Sequence, residues 1–154
     1  MFLDRKVAEI LIDTKKTLSL AESCTGGLVT NLLTNISGSS AFLKCSIIAY
    51  SNEAKIKILK VPVKIIKKHG AVSEETATIM AQNVRNLFKT DFGLAITGIA
   101  GPTGGTKTKP VGLTFIALSM DYGTLCLKCK FKGSRLEIKK QAAKQALVLL
   151  KEFL

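Results

Sequence analysis

Residues 18–27 read LSLAESCTGG, and the rest of the chain is arranged around them. A short apolar run, Leu18 to Ala21, gives way to polar residues and a glycine pair, and an amphipathic stretch, Leu28 to Leu33, follows at once. This pattern predicts a buried strand, a tight turn and a helix. It puts Glu22, Ser23, Cys24 and Thr25 at the carboxyl end of the strand, facing the first turn of the helix. Open α/β sheets take their ligands there. The first N–H groups of a helix are unpaired and carry partial positive charge, so they suit an anion or a developing oxyanion. Gly26 and Gly27 let a ligand approach the backbone closely. The same ten residues also fit a plain Ser/Thr helix cap with glycines kept for packing. From this stretch alone both readings stand.

Working outward, Leu3, Val7, Ile10, Leu11 and Thr14 recur at helical spacing and predict a first helix over residues 3–16. The strand over 17–22 is expected to be the central one, with a helix over 26–35 and a loop, ISGSSA, over 36–41. Residues 42–50 predict a second strand. Ser51 or Asn52 then caps a helix that carries Lys55 near its start. Pro62 opens a short helix over 63–68, which His69-Gly70 ends. Ser73 starts a long helix whose stripe is Ala77, Met80, Ala81, Val84, Leu87 and Phe88. Strands follow at 92–97, 111–119 and 124–131, with a loop, GIAGPTGGTKTK, over 98–109. Ser134-x-x-Glu137 is a capping-box pattern opening the last helix. The alternation predicts an α/β fold, a layered α/β/α sandwich with a mixed central sheet, in one domain over residues 1–154. It leaves the strand order open.

The chain is 47% hydrophobic, yet no apolar run reaches the roughly 18 residues of a membrane span. Asp4 and Arg5 interrupt the start where a signal peptide would build its apolar segment, so a cytoplasmic protein with reduced thiols is expected. Cys126-x-x-Cys129 invites a metal or redox reading. Its flanks alternate as a strand does, and residues three apart on a strand point to opposite faces. One histidine in the whole chain also leaves a zinc site short of ligands. The net charge of +12 suggests nucleic acid. However, twenty of the 23 basic residues are scattered lysines, and only Arg5, Arg85 and Arg135 offer the planar fork that reads bases and phosphates. A solvated lysine-rich surface without specific nucleic-acid partners is the expectation. Such a field also favours an anionic small substrate.

A Ser-His-Asp site must use His69, whose position at a helix end fits a capping role better. A serine–lysine pair is the alternative form of that logic. Lys55 is the candidate base. An early position in a helix sets it against the positive dipole end, and burial would further disfavour the ammonium. Tyr50, five residues earlier, offers a phenol to relay the proton or orient Ser23. Both residues also fit as solvent-facing side chains. The glycine-rich loop at 98–105 matches neither a Walker A loop nor a G-x-G-x-x-G turn, but its N–H groups suit a phosphate or ribose. Arg135 opens the capped last helix and suits an anion; it equally fits as a surface charge.

Five motifs occur together and in order: AESCTGG at 21–27, GSSAF at 38–42, AYSNEAK at 49–55, HGAVSEE at 69–75, and TGIAGPTGG with KPVG within 97–112. In combination they resemble the CinA C-terminal domain family, whose enzymatic members are nicotinamide-nucleotide amidohydrolases. The match runs over residues 17–146. The resemblance implies hydrolysis of the carboxamide of nicotinamide mononucleotide to nicotinate mononucleotide and ammonia. It implies Ser23 as nucleophile with Tyr50 and Lys55 as its partners. Substrate contacts would come from Cys24, Thr25, Gly26, Gly27, Gly98, Gly101 and Arg135. No cofactor or metal is implied, and a homodimer or higher homo-oligomer is.

The sequence departs from the family pattern in three ways. Many members carry an additional N-terminal domain resembling molybdopterin-binding proteins, which is not expected here. Thr103 stands where an acidic residue is common, and Lys132 where proline is common. Three rival readings remain: a non-catalytic nucleotide-binding or regulatory domain of the same fold, a nucleic-acid-associated protein suggested by the charge of +12, and a hydrolase using Cys24 as its nucleophile.

Overall fold

The computed structural model describes residues 2–154. Helix α1, Leu3–Asp13, ends earlier than its periodicity suggests, because Lys15 takes a left-handed conformation. Strand β1, Leu18–Glu22, is buried at all five residues. Helix α2 is Leu28–Thr34 and not 26–35. Gly26 (φ 60°) and Gly27 (φ 96°) are both left-handed, so they form the turn and lie outside the helix. A single 3-10 turn, Ser39–Ala41, leads into β2, Leu43–Ile48. Three helices follow: α3, Asn52–Lys57; α4, Val63–His69; and α5, Glu74–Phe88. Strands β3, Phe92–Gly98, β4, Leu113–Met120, and β5, Gly123–Lys130, precede α6, Arg135–Glu152.

The sheet order is β2-β1-β3-β4-β5. β1 pairs parallel with β2 and with β3, whereas β3–β4 and β4–β5 are antiparallel. The middle strand is therefore β3, not β1 as the sequence reading expected. β1 is nonetheless covered on both edges, and the register Glu22↔Ile96 brings its end level with the end of β3.

The two faces of the sheet are built differently. One carries Leu18, Leu20, Leu94, Ile96, Ile116 and Leu118, packed under α1, α2 and α6. Each such buried side chain contributes about 1.5–3 kcal/mol relative to exposure. The other face is small, with Ala21, Ala95 and Ala117 under α5. At Gly93 an added Cβ would lie 2.2 Å from the Ala81 carbonyl oxygen, so α5 sits directly on the strand. Long side chains on one face and close helix contact on the other give the α/β/α sandwich.

Local caps form where the sequence places them. Ser51 Oγ accepts from the Ala54 N–H, Ser73 Oγ from the Thr76 N–H, and Ser134 and Glu137 make a reciprocal capping box. Cys126 and Cys129 fall on opposite faces of β5, and burial, with Glu74 adding to it, pushes the Cys126 thiol up to about 12. No helix among the described residues is long and apolar enough to cross a membrane.

Candidate active site

A cavity of about 260 Å³ opens at the carboxyl ends of β1 and β3. It draws together Ser23, Cys24, Tyr50, Lys55, Gly98, Gly101 and Arg135 from the residues singled out in the sequence. Thr25, Gly26 and Gly27 do not line it; they build the turn behind it.

Ser23 lies one residue beyond β1, and its N–H still bonds to the Ile96 carbonyl at 3.0 Å. The nucleophile candidate is thus anchored to the middle strand. Lys55 comes from α3, a six-residue helix, and is 2% exposed. Its Nζ lies 3.0 Å from Ser23 Oγ, 2.9 Å from the Ala49 carbonyl and 3.3 Å from the Tyr50 carbonyl. Among the described residues no carboxylate pairs with it. Burial holds the Lys55 pKa below the ordinary lysine range, while the neighbouring Cys24 acts the other way. Desolvation, not the helix dipole, is therefore the main cause. α3 is too short for Lys55 to sit only at its positive end, and the ammonium reaches back to carbonyls before the helix.

The three oxygens around Lys55 suit two protonation states. An ammonium donates to all three. A neutral amine donates to the two carbonyls and accepts from the Ser23 hydroxyl through its lone pair. A proton can therefore pass from Ser23 to Lys55 without moving either side chain.

Tyr50 is placed differently from the expectation. Its backbone carbonyl meets Lys55, but its hydroxyl accepts from Arg135 Nη2 at 2.8 Å and bonds to neither Ser23 nor Lys55. Arg135 Nη1 donates to the Gly101 carbonyl at 2.7 Å. The guanidinium thus joins the end of β2, the glycine-rich loop and the start of α6 at the cavity mouth.

The start of α2 is also different. The sequence reading left its N–H groups open to an anion, but the chain's own Glu22 fills that place. Glu22 Oε2 accepts from Thr25 Oγ1 at 2.6 Å, from the Gly27 N–H at 3.0 Å and from the Val29 N–H at 3.2 Å. Oε1 accepts from the Thr30 N–H at 2.8 Å and from Thr30 Oγ1 at 2.7 Å. The Cys24 and Thr25 N–H groups, which adjoin Ser23, meet no oxygen acceptor among the described residues.

Cys24 is 7% exposed, and burial pushes its thiol up to about 11 despite Lys55 nearby. At neutral pH it is a thiol, the weaker nucleophilic form. His69 closes α4 and its Nδ1 lies 3.2 Å from Glu75 Oε1. It does not line the cavity, so no Ser-His-Asp arrangement exists there. Among the described residues no group of His, Cys, Asp and Glu is placed to hold a metal. Sequence reasoning missed Asn52, Val72 and Thr97 in the cavity wall. Thr97 Oγ1 donates to the Ala71 carbonyl at 2.8 Å, a contact across 26 residues that no local pattern signals.

Fold and cavity together define an α/β domain with a buried serine–lysine pair at its strand ends. The CinA C-terminal domain model matches residues 2–154, and the chain belongs to that family. A CinA-like protein of Syntrophus aciditrophicus is 53% identical over 153 residues, 99% of this chain and 36% of that protein. A CinA-like protein of Kosmotoga olearia is 49% identical over 145 residues, 94% of this chain and 35% of that protein. The chain thus spans about a third of the length of these curated relatives. Among solved structures, the competence/damage inducible protein CihA of Agrobacterium tumefaciens superposes with a TM-score of 0.95 at 37% identity. That match covers 97% of this chain and 92% of the other. Competence damage-inducible protein A (ComA) of Klebsiella pneumoniae gives 0.94 at 32% identity, over 97% and 93%.

Proposed function

We propose that this chain hydrolyses the carboxamide of nicotinamide mononucleotide, giving nicotinate mononucleotide and ammonia. The observation that carries this reading is the 3.0 Å approach of Lys55 Nζ to Ser23 Oγ, with Lys55 buried and free of any carboxylate. A lysine so placed is a base whose proton affinity has been lowered toward the working range. A serine beside such a base is an activated nucleophile.

Ser23 Oγ attacks the amide carbon as its proton passes to Lys55. The carbonyl electron pair moves onto oxygen, where the Cys24 N–H group receives it. Collapse of the tetrahedral species breaks the C–N bond, and Lys55 returns the proton to the leaving ammonia. Water then attacks the acyl-serine with Lys55 again as base, which releases the carboxylate. Arg135 and the loop at 98–105 offer the substrate phosphate a guanidinium and backbone N–H groups. An anionic phosphate competes well with the neutral Gly101 and Tyr50 oxygens that Arg135 now holds.

The substrate assignment rests on the family likeness and on a cavity that has a cation at its mouth and a nucleophile at its floor. Ammonia release from nicotinamide mononucleotide by the purified chain tests it. Binding of the nucleotide without release would replace it with the non-catalytic reading.

A further inference from the structure

Glu22 is 1% exposed, next in sequence to Ser23, and takes no part in the steps above. Its position is unusual for a buried acid. Among the described residues no cation pairs with it. Instead its two oxygens accept five hydrogen bonds, three from backbone N–H groups and two from the hydroxyls of Thr25 and Thr30. All five donors lie within eight residues downstream. The carboxylate therefore ties the 23–27 turn to the first turn of α2.

This arrangement has two consequences for the cavity. The Gly27, Val29 and Thr30 N–H groups are spent on Glu22, so the start of α2 is closed to a substrate anion. The Thr25 hydroxyl is drawn behind the turn, away from the cavity it was expected to line. What remains on the cavity side is Ser23 and Cys24, with Thr25 directly behind them, and among the described residues the Cys24 and Thr25 N–H groups are left without oxygen acceptors. Two left-handed glycines follow, and the step is held by the Ser23 N–H on the Ile96 carbonyl, by turn bonds from the Gly26 N–H to the Ser23 carbonyl and from the Leu28 N–H to the Thr25 carbonyl, and by the Glu22 carboxylate.

We infer that Glu22 is a positioning residue that fixes the 23–27 turn so that the N–H group of the cavity-lining Cys24 meets the oxyanion formed when Ser23 attacks. The inference rests on the reading of Ser23 as nucleophile. It predicts an effect on the transition state with little effect on substrate binding, because the oxyanion exists only after attack.

The test compares Glu22→Gln with wild type and Ser23→Ala, each as the full chain, by steady-state ammonia release. A second probe is the nucleotide with an aldehyde in place of the carboxamide, which adds reversibly to a serine and places an oxyanion in the same position. Glu22→Gln puts an amide where five donors converge. The expected result is a fall in kcat of about 100-fold, KM within about threefold of wild type, and aldehyde affinity weakened by a similar factor. A purely structural role would lower thermal stability while leaving kcat per folded molecule and aldehyde affinity at wild-type values, and that result overturns the inference. A raised KM with wild-type kcat also overturns it. If Glu22→Gln does not fold, Thr25→Val takes its place, since it removes one donor and keeps the carboxylate. A fall in kcat of about tenfold at constant KM is then expected, and wild-type kcat overturns the inference. Ser23→Ala separates the two levels: full activity there removes the nucleophile reading itself, whereas an inactive Ser23→Ala beside a fully active Glu22→Gln removes only the role of Glu22.

Discussion

Glu22 and Lys55 are the only charged side chains buried among the described residues, and they sit on opposite sides of Ser23. Their surroundings are opposites. Glu22 lies at the start of α2, where five donors satisfy the charge completely. Lys55 lies at the cavity floor among three neutral oxygens, one of them a hydroxyl that can give up its proton. The donors around Glu22 satisfy its charge and hold it in place, whereas burial favours the neutral form of Lys55, which suits the proposed base. At the opposite end of the sheet, the partly exposed Asp91, just before β3, is bonded by Thr17 and Lys16 and ties the start of β1 to that of β3.

The comparison breaks most sharply at Lys55. Lys55→Arg keeps the positive charge but cannot supply a base, because the guanidinium stays protonated. Turnover is expected to fall by about 10³-fold in a folded protein, measured as ammonia release. Retention of turnover would mean that charge alone is required. Glu22→Gln is expected to show the contrasting effect on stability, a loss of about 3 kcal/mol in denaturant unfolding. Lys55→Met, by contrast, is expected to cost less than about 1 kcal/mol, since it removes an uncompensated buried cation.

The pH profile sharpens the contrast further. Burial favours the neutral form of Lys55, so its pKa lies below the 10.5 of an ordinary lysine. As pH rises through that depressed value, Lys55 loses its proton and becomes the base. kcat/KM is therefore expected to rise about tenfold per pH unit on the acid side and then level off, with a midpoint below that of free lysine. A midpoint at or above the ordinary value would show that burial does not set the base. The smallest effect is expected at Cys24. Its thiol is held protonated by burial, and Cys24→Ala preserves the backbone N–H, so turnover should fall by less than about fivefold. A loss as large as that at Ser23 would transfer the nucleophile to the thiol.

What was legible in the sequence was local. The strand–turn–helix of β1 and α2, the caps at Ser51, Ser73 and Ser134, and the divergent thiols of β5 all follow from spacing within a few residues. The strand order was not legible, because β1 joins β3 across five intervening elements. In the cavity, the sequence pointed to Ser23, Lys55 and Arg135, but it did not show what each would touch. Arg135 meets Tyr50 across 85 residues, which moves the Tyr50 hydroxyl away from the serine. Glu22 was visible beside Ser23, yet a helix start reads as an open anion site until the chain's own carboxylate is seen to fill it.

The central claim is that the Ser23–Lys55 pair hydrolyses an amide. The most direct measurement is ammonia release from nicotinamide mononucleotide by the purified wild type and by Ser23→Ala, side by side and without added metal. The account predicts release by the wild type and its loss in the variant, with both proteins folded. Equal release from the two, or nucleotide binding by the wild type with no release, would contradict it.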